Sequence, residues 1–282
     1  MPEGPEIRRA ADLLQAAITA KPLTKVWFKF AALKQYETEL ANSTIARFET
    51  HGKALLTHFD CGLSIYSHNQ LYGIWKIAAR GKVPKTSRDL RLAIHTEKTA
   101  VFLFSASDIS VWRTEALHQH PFLRKLGPDA LDPKLHAKAL AERLISPRFA
   151  GKSLAGLLLD QAFLAGMGNY LRTEVLFYAG LHPSARPKDL RESERDRLAE
   201  QLLGVTRRSY ATGGVTNEAA IAGVLQGDGA PFEGYRFALF ERAGQACYQC
   251  GNTIERIELA GRRLYFCPEC QPPAHSDSKS LR

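Results

Sequence analysis

The chain has 282 residues and is basic, with 38 Lys and Arg against 29 Asp and Glu, a formal net charge of +9. Its 45% hydrophobic and 24% charged residues are typical of a globular protein, which excludes intrinsic disorder as the main state. Asp160 and Gln161 interrupt the most apolar region, and acidic residues occupy the place of a secretion signal core. We therefore expect a cytoplasmic protein with no membrane partner. Residues 1–130 hold 18 basic against 12 acidic side chains, which is compatible with a polyanionic ligand.

The first half of the chain predicts one helix followed by an antiparallel β-sandwich or barrel. Apolar residues recur at helical spacing over 5–19, and the helix is expected to end near Lys21 and Pro22. Short, mostly alternating runs separated by turn-forming residues follow at 26–30, 45–50, 54–59, 63–68, 73–77, 90–95 and 100–104. Seven strands at this spacing are typical of a sandwich or barrel.

The pattern becomes helical after Leu126, Gly127 and Pro128. Helices are expected at 135–144, 154–165, 170–179 and 190–203, with the sequence GMGN at 166–169 as a tight break between the middle two. Such a break can present backbone N–H groups and an Asn side chain to a phosphate, although an ordinary helical hairpin has the same pattern. Residues 213–235 are rich in glycine and predict a flexible connection, and 272–282 predict a disordered tail.

Four of the five cysteines form the pattern C-x2-C-x16-C-x2-C, at Cys247, Cys250, Cys267 and Cys270. Paired CxxC knuckles let four thiolates surround one ion, so the pattern predicts one structural Zn²⁺ with no open ligand position. Disulfides are the alternative, which the expected reducing compartment disfavours. The residues between the knuckles predict a two-stranded ribbon that turns at Ala260 and Gly261 and is too small to fold without the metal. The remaining cysteine, Cys61, is expected to be a buried structural thiol.

The N-terminus carries a possible nucleophile. Pro2 follows the initiator Met1, which is commonly removed before proline, and a free proline amine with a pKa of about 8 is partly unprotonated at neutral pH. Such an amine can attack an electrophilic sugar carbon and form an iminium. Glu3 and Glu6 stand beside it and can protonate a leaving oxygen or bind the amine. Prolines and acids are also common in the first turn of any helix, so these residues alone leave both interpretations open.

Five segments, in this order, together resemble the formamidopyrimidine-DNA glycosylase and endonuclease VIII family. They are MPEGPEIRR at the N-terminus, GK at 52–53, LGPD at 126–129, GMGNY at 166–170 and the final CxxC…GRRLYFCPEC ribbon. The resemblance runs from residue 1 to about residue 271. Within the family, the N-terminal segment and SHNQLYG at 67–73 are similar to endonuclease VIII, whereas the purine-directed branch usually has Leu at the place of Gly4.

The resemblance implies a bifunctional DNA glycosylase and AP lyase of base excision repair that removes oxidised pyrimidines. It implies that Pro2 is the nucleophile at C1′ and that Glu3 is the acid that helps to open the sugar ring. Two successive eliminations then expel the 3′ and the 5′ phosphate. Lys53 matches the family lysine that contacts phosphate and assists proton transfer. Glu6 and Glu174 match acidic positions near the active site, although Glu174 can equally be a first-turn stabiliser of its helix.

The resemblance also implies a wedge that fills the gap left by an extruded base. A damaged base must leave the stack before an enzyme can reach it, and inserted side chains stabilise the opened duplex. Gln70, Leu71 and Tyr72 match this wedge. An ordinary hairpin tip with one exposed aromatic residue is the alternative.

The phosphates around the lesion are expected to be bound by residues of both halves. Arg262 matches the ribbon arginine, and its neighbour Arg263 should point to the opposite face of a regular strand. Asn169 would bind the same phosphates at a helix N-terminus. Lys125 occupies a position where the family places a basic residue, often Arg, that contacts DNA, but lysine lacks the bidentate grip of arginine.

The fold class that follows is α+β and multidomain. We expect a catalytic β-sandwich domain over 1–126, a helix-two-turns-helix domain over 127–236, a zinc ribbon over 237–271 and the tail over 272–282. The expected partner is double-stranded DNA with oxidised bases or abasic sites, bound by a monomer in the bacterial cytosol or nucleoid. The segment 213–235 has no obvious match in the endonuclease VIII pattern, and the tail is additional. The alternatives are an enzyme of the same family directed at oxidised purines and a non-catalytic zinc-ribbon protein that binds DNA.

Overall fold

A computed structural model describes residues 2–273, and the chain divides between Leu126 and Gly127 into two compact units. The first unit holds the N-terminal helix, a second short helix and eight strands, and the second unit holds the other helices and a two-stranded ribbon. Most of the tail that we expect to be disordered, 274–282, lies outside the described residues. Among the residues that are described, no helix is both long and apolar enough to cross a membrane.

The first unit is a sandwich of two four-stranded antiparallel sheets with helix α1 against its core. Its helices and strands are α1 Gly4–Ile18, β1 Leu23–Phe28, α2 Glu37–Ala41, β2 Ile45–His51, β3 Ala54–Phe59, β4 Leu63–His68, β5 Ile74–Ala79, β6 Leu90–Thr96, β7 Thr99–Phe104 and β8 Asp108–Arg113. One sheet has the order β1-β6-β7-β5, and the other has the order β2-β3-β4-β8. The apolar face of α1, with Ile7, Leu14 and Ile18 buried, belongs to the same core as the strands. The predicted helix and sandwich are therefore confirmed.

Strand β8 is the strand that the sequence did not predict. It pairs with β4 along its whole length, from Leu63 opposite Arg113 to His68 opposite Asp108. Its residues are mostly half-buried, and Asp108 and Ser110 interrupt the apolar pattern. A strand at a sheet edge with polar side chains has weak periodicity in the sequence, because its formation depends on a neighbour rather than on local pattern.

The second unit has a large apolar core that helices and the ribbon share, and a smaller apolar cluster that includes Cys247 and Cys267. Its helices and strands are α3 Ala137–Leu144, α4 Leu154–Leu157, α5 Asn169–Tyr178, α6 Glu192–Ala211, α7 Ala219–Gly227, α8 Phe232–Tyr235, β9 Glu255–Leu259 and β10 Arg262–Phe266. Leu264 and Phe266 of the ribbon are buried in the same cluster as residues of α3, α5 and α6. The ribbon is therefore held by apolar packing as well as by its cysteines.

The prediction of a helix over 154–165 is wrong beyond Leu157. Asp160 instead closes a turn, because its carboxylate accepts the N–H of Ala162 at 2.9 Å. The side chain of Gln161 donates to the carbonyl of Met167 at 2.9 Å and accepts from the N–H of Gly166 at 3.1 Å. Side chains that bond to nearby backbone compete with the helix ladder, and here they form the turns between α4 and α5.

The prediction of a flexible connection over 213–235 is also wrong. The segment contains α7 and α8, and Thr216 and Asn217 at its start are buried. Both residues are tied to the end of the segment, since their N–H groups donate to the carbonyl of Arg236 at 2.8 and 3.0 Å. The glycines of this segment therefore lie within and between short helices and do not form a linker.

Candidate active site and DNA interface

Pro2 and Glu3 are held in place by the start of α1. Glu3 is the N-cap of the helix and is 2% exposed, while Pro2 is half-buried. The carboxylate of Glu6 accepts the N–H of Glu3 at 2.9 Å, and the Glu3 side chain accepts an N–H of the first turn in return. This reciprocal capping box fixes the backbone that follows Pro2.

Lys53 lies in the tight turn between β2 and β3. Gly52 precedes it with a φ of 60°, a left-handed conformation that glycine adopts without strain. Lys53 is half-buried, and the next residue, Ala54, is paired with His68 of β4. The positive charge of Lys53 contributes to lowering the pKa of His68, although burial of the imidazole is the larger cause. The turn thus holds a lysine beside a histidine within the first unit.

We call residues 70–72 the wedge turn. Gln70, Leu71 and Tyr72 form the connection between β4 of one sheet and β5 of the other, and Leu71 and Tyr72 are 53% and 63% exposed. Gly73 follows the turn at a position with no room for a side chain, because a Cβ there would lie 2.5 Å from the carbonyl oxygen of Asn69. Two adjacent apolar side chains exposed on a turn fit insertion into a base stack.

Asn169, the first residue of α5, is bonded to the ribbon. Its side-chain N–H₂ donates to the carbonyl of Arg263 at 2.9 Å. Its side-chain oxygen accepts from Arg172 at 2.6 Å. The fully buried Arg172 also donates to the carbonyls of Ala155 at 2.9 Å and Arg263 at 3.2 Å. One buried guanidinium therefore fixes α4, the start of α5 and strand β10 relative to one another.

Arg172 is a residue that sequence reasoning missed. An arginine within a run of helix residues is usually a solvated surface charge, and its pattern gives no other indication. Arg172 is surrounded by carbonyl oxygens only because α4, α5 and the ribbon pack together.

The ribbon places Arg262 and Arg263 directly after its turn. Ala260 and Gly261 both have positive φ, 54° and 67°, as a two-residue hairpin turn requires. Arg262 pairs with Leu259 and Arg263 pairs with Glu258, in the register that the sequence predicts. Both arginines are exposed, and successive side chains of a strand point to opposite faces.

Lys125 ends a short 3₁₀ turn, Leu123–Lys125, at the end of the first unit. Its side chain is exposed, and its backbone N–H donates to the carbonyl of Phe122 at 3.1 Å. The turn holds the lysine backbone while leaving its charge in solvent.

Glu174 is buried inside the second unit. One oxygen of its carboxylate accepts the N–H groups of Leu239 and Phe240, each at 2.9 Å, and the other accepts Ala238 N–H and the Thr216 hydroxyl, each at 2.8 Å. It lies beyond the first turn of α5, so the alternative interpretation as a first-turn stabiliser is wrong. Its carboxylate instead holds both ends of the 216–240 segment against α5.

The four cysteines converge on one point. Their Sγ atoms all lie within 4.8 Å of one another, with 3.9 Å between Cys247 and Cys270 and 3.4 Å between Cys250 and Cys267. A tetrahedron with Zn–S bonds of about 2.3 Å has sulfur atoms about 3.8 Å apart, so the site has the size for zinc. Burial raises the pKa of the Cys267 and Cys270 thiols, and a coordinated metal ion removes their protons.

The fifth cysteine corrects a prediction. Cys61 is exposed in the turn between β3 and β4, so it is not a buried structural thiol. Its place in a solvent-facing turn follows from the strands on either side, not from the chemistry of the thiol.

Three family models match this chain in order. They are the formamidopyrimidine-DNA glycosylase N-terminal domain over 1–106, the formamidopyrimidine-DNA glycosylase H2TH domain over 126–220 and the zinc finger found in FPG and IleRS over 244–273. A relative called Endonuclease 8, from Salmonella agona strain SL483, is 51% identical over 271 residues, which are 96% of this chain and 100% of the relative.

Solved structures share the fold. The complex of Lactococcus lactis Fpg (MutM) with DNA containing an oxidised pyrimidine has a TM-score of 0.80 at 23% identity, and it matches 96% of this chain and 100% of the other. The complex of Lactococcus lactis Fpg with DNA containing an abasic site has a TM-score of 0.80 at 22% identity, over 95% of this chain and 99% of the other.

The chain therefore belongs to the formamidopyrimidine-DNA glycosylase and endonuclease VIII family, whose members are DNA glycosylases with AP lyase activity. The predicted multidomain α+β fold is confirmed, and the four cysteines form the site of one structural Zn²⁺. Membership makes the chain an enzyme of base excision repair, so the alternative of a non-catalytic zinc-ribbon protein is wrong.

Proposed function

We propose that this enzyme removes oxidised pyrimidines from double-stranded DNA through a Schiff base on Pro2 and then cleaves the strand by β,δ-elimination. The observation that carries the proposal is the position of Pro2 directly before a buried carboxylic acid, Glu3, which is the N-cap of the first helix. The name of the Salmonella relative, Endonuclease 8, supports the pyrimidine-directed branch.

The chemistry needs few groups. The Pro2 nitrogen attacks C1′, the bond from C1′ to the base breaks, and the base leaves with the proton that the Pro2 nitrogen gives up. Glu3 protonates the ring oxygen as the bond between C1′ and that oxygen breaks, and an iminium forms between Pro2 and the opened sugar. The iminium acidifies the C2′ proton, and its removal expels the 3′ phosphate. A second elimination expels the 5′ phosphate and leaves a one-nucleotide gap. Lys53 is proposed to contact a phosphate and to assist the proton transfers.

The remaining site residues are proposed to hold the opened duplex. The wedge turn of Gln70, Leu71 and Tyr72 fills the gap left by the extruded base, which offsets an unstacking cost of about a few kcal/mol. Asn169 and Arg262 bind the phosphates that flank the lesion, and Lys125 adds a further phosphate contact. Glu6 acts indirectly, since it holds the backbone of Glu3. Glu174 acts indirectly as well, through the segment that it clamps.

The nucleophile is tested by trapping. Borohydride is added while the zinc-loaded protein is incubated with a duplex that contains 5-hydroxyuracil, and peptide mapping then locates the adduct. We expect reduction of the iminium to leave DNA covalently on Pro2, with Met1 absent from the N-terminal peptide. An N-terminal extension should abolish the adduct while DNA binding persists. An adduct on a lysine, or turnover by the extended protein, would show that Pro2 is not the nucleophile.

The lesion class is tested by comparison. Oxidised purines are the second candidate, because solved structures of the same fold include MutM in complex with DNA containing carbocyclic 8-oxo-G. Rates of cleavage are measured on matched duplexes that carry 5-hydroxyuracil or 8-oxoguanine. A strong preference for 8-oxoguanine opposite cytosine would overturn the pyrimidine assignment.

We also infer that the enzyme acts as a monomer on DNA in the bacterial cytosol or nucleoid. Homologues that are bacterial repair enzymes support this setting. Light scattering on the protein alone and with one equivalent of duplex tests the monomer, and a mass of two chains in either sample would contradict it.

A further inference from the structure

The wedge turn is held by contacts from three other parts of the first unit. The N–H of Gln70 donates to Nδ1 of His68 at 3.1 Å, and the side-chain oxygen of Gln70 accepts from the Ser107 hydroxyl at 2.6 Å. The guanidinium of Arg88 donates to the carbonyl of Tyr72. These partners come from the end of β4, the connection between β7 and β8, and the connection between β5 and β6. Each end of the turn is thus bonded to another part of the first unit.

The contact from His68 stabilises an unusual backbone conformation. Gln70 has a φ of 51°, in the left-handed region that side chains other than glycine rarely adopt. A ring nitrogen that accepts the N–H two residues further along the chain has the same role as the side-chain oxygen of an Asx turn. His68 therefore selects the conformation in which the turn projects Leu71 and Tyr72 into solvent.

His68 can serve in this way only while Nδ1 carries no proton. The groups that face the imidazole are Lys53 from the β2–β3 turn and Asp108 from β8, together with the ring of Phe122, 5.2 Å away between centroids. Burial lowers the pKa of His68, the carboxylate of Asp108 opposes this, and Lys53 lowers the pKa further. The neutral form is thus favoured at neutral pH, and Nδ1 stays an acceptor.

We propose that His68 and Ser107 are positioning residues that hold the wedge turn in its inserting conformation before the enzyme meets DNA. The inference rests on the proposed function, which assigns the wedge role to residues 70–72. A turn that is ordered in advance loses little conformational freedom when it enters the duplex, so more of the contact energy remains available to open the base pair. His68 acts on the main chain of Gln70, and Ser107 acts on its side chain.

The test compares duplex with single-stranded substrate. The wedge is needed only where a base must be extruded from a stack, so the measured quantity is the ratio of kcat/KM on a 5-hydroxyuracil duplex to kcat/KM on the same oligonucleotide without its complement. His68→Leu and Ser107→Ala each remove one hydrogen bond, and we expect the ratio to fall about three- to tenfold in each variant. His68→Asn keeps an acceptor for the N–H of Gln70 and should restore most of the ratio.

Ser105→Ala is the matched control for Ser107→Ala. It removes a hydroxyl from the same connection, and within residues 2–273 no hydrogen bond from Ser105 to the wedge turn is observed. Ser107→Ala should have no further effect in a Gln70→Ala background, because its partner is already gone. The wild-type ratio should also fall as the pH drops through the lowered pKa of His68, which lies below the ordinary histidine value of 6.5, whereas the ratio of His68→Asn should change less.

The outcomes separate this inference from the proposed function. If His68→Asn is no better than His68→Leu, or if Ser107→Ala equals Ser105→Ala, the positioning role is refuted. Borohydride trapping of the wild type on a single-stranded abasic oligonucleotide is run alongside. Failure of that trap would instead refute the proposed chemistry of Pro2.

Discussion

Replacing Glu174 with glutamine should destabilise the second unit far more than the loss of one surface charge. The carboxylate accepts four hydrogen bonds, three from consecutive backbone N–H groups and one from Thr216. The amide of glutamine must face either the N–H groups of Leu239 and Phe240 or that of Ala238 together with the hydroxyl. At least one buried N–H then meets another donor, and the remaining bonds lose the strength that the ionised acceptor gives them.

We expect a loss of about 2 to 4 kcal/mol, from the cost of an unsatisfied buried donor plus weaker bonds to a neutral acceptor. For a unit of this size, that loss corresponds to a fall of about 4 to 16 °C in the unfolding temperature. Because the two units need not unfold together, hydrogen exchange resolved by residue is the better assay. The amides of Ala238, Leu239 and Phe240 should lose protection first.

Glu200→Gln is the control for Glu174→Gln. Glu200 is exposed on α6 of the same unit, so its substitution should change stability by less than about 0.5 kcal/mol. If Glu174→Gln unfolds at the same temperature as Glu200→Gln, with unchanged amide protection at 238–240, the clamp that we derive from the contacts does not exist.

Three further predictions concern acid stability, phosphate binding and zinc. The hydrogen bond from His58 lowers the pKa of Glu49 from 4.5 to about 2. This carboxylate therefore stabilises the fold above pH 4.5, and the stabilisation is lost as the pH falls toward 2. In acid titrations Glu49→Gln should remove about 1 kcal/mol of this pH-dependent stability, a small value because the group is half-exposed and its charge is screened. Arg262→Ala should reduce the slope of log K against log salt by about one unit in DNA-binding titrations, and an equal change in Arg263→Ala would show that the ribbon face is assigned wrongly. A strong chelator should remove the zinc, unfold the ribbon and weaken DNA binding, while the amides of the sandwich strands stay protected from hydrogen exchange. Ribbon amides that stay protected without zinc would show that apolar packing alone is enough to keep the ribbon folded.

The strongest local patterns predicted structure well. Helix α1 has an apolar stripe and a capping box, and β3 and β4 begin and end at the residues that the sequence predicted. The ribbon was predictable because two cysteine pairs and a two-residue turn leave one way to pair the strands. In each case the residues that determine the element lie in one short, continuous stretch of the chain.

Two predictions of secondary structure were wrong, one for a local reason and one because distant residues meet. The run 154–165 has an apolar pattern that suits a helix, but Asp160 and Gln161 bond to backbone across a turn instead. The segment 213–235 is rich in glycine, yet Thr216 at its start meets Glu174 from 42 positions earlier. Composition and apolar spacing do not show which side chains bond to nearby backbone or to a distant carboxylate.

The sequence by itself determined the residues on which the proposed chemistry depends: a proline after the initiator methionine and beside a carboxylic acid, a lysine after a glycine, and four cysteines at zinc spacing. These are properties of residue type and short spacing, which a chain carries without folding. Only the tertiary structure decided which residues hold that chemistry in place. Arg172 and His68 look like ordinary surface residues until α4, the ribbon and the wedge turn surround them with hydrogen-bonding partners. Buried polar groups need such partners, and folding brings them from distant parts of the chain.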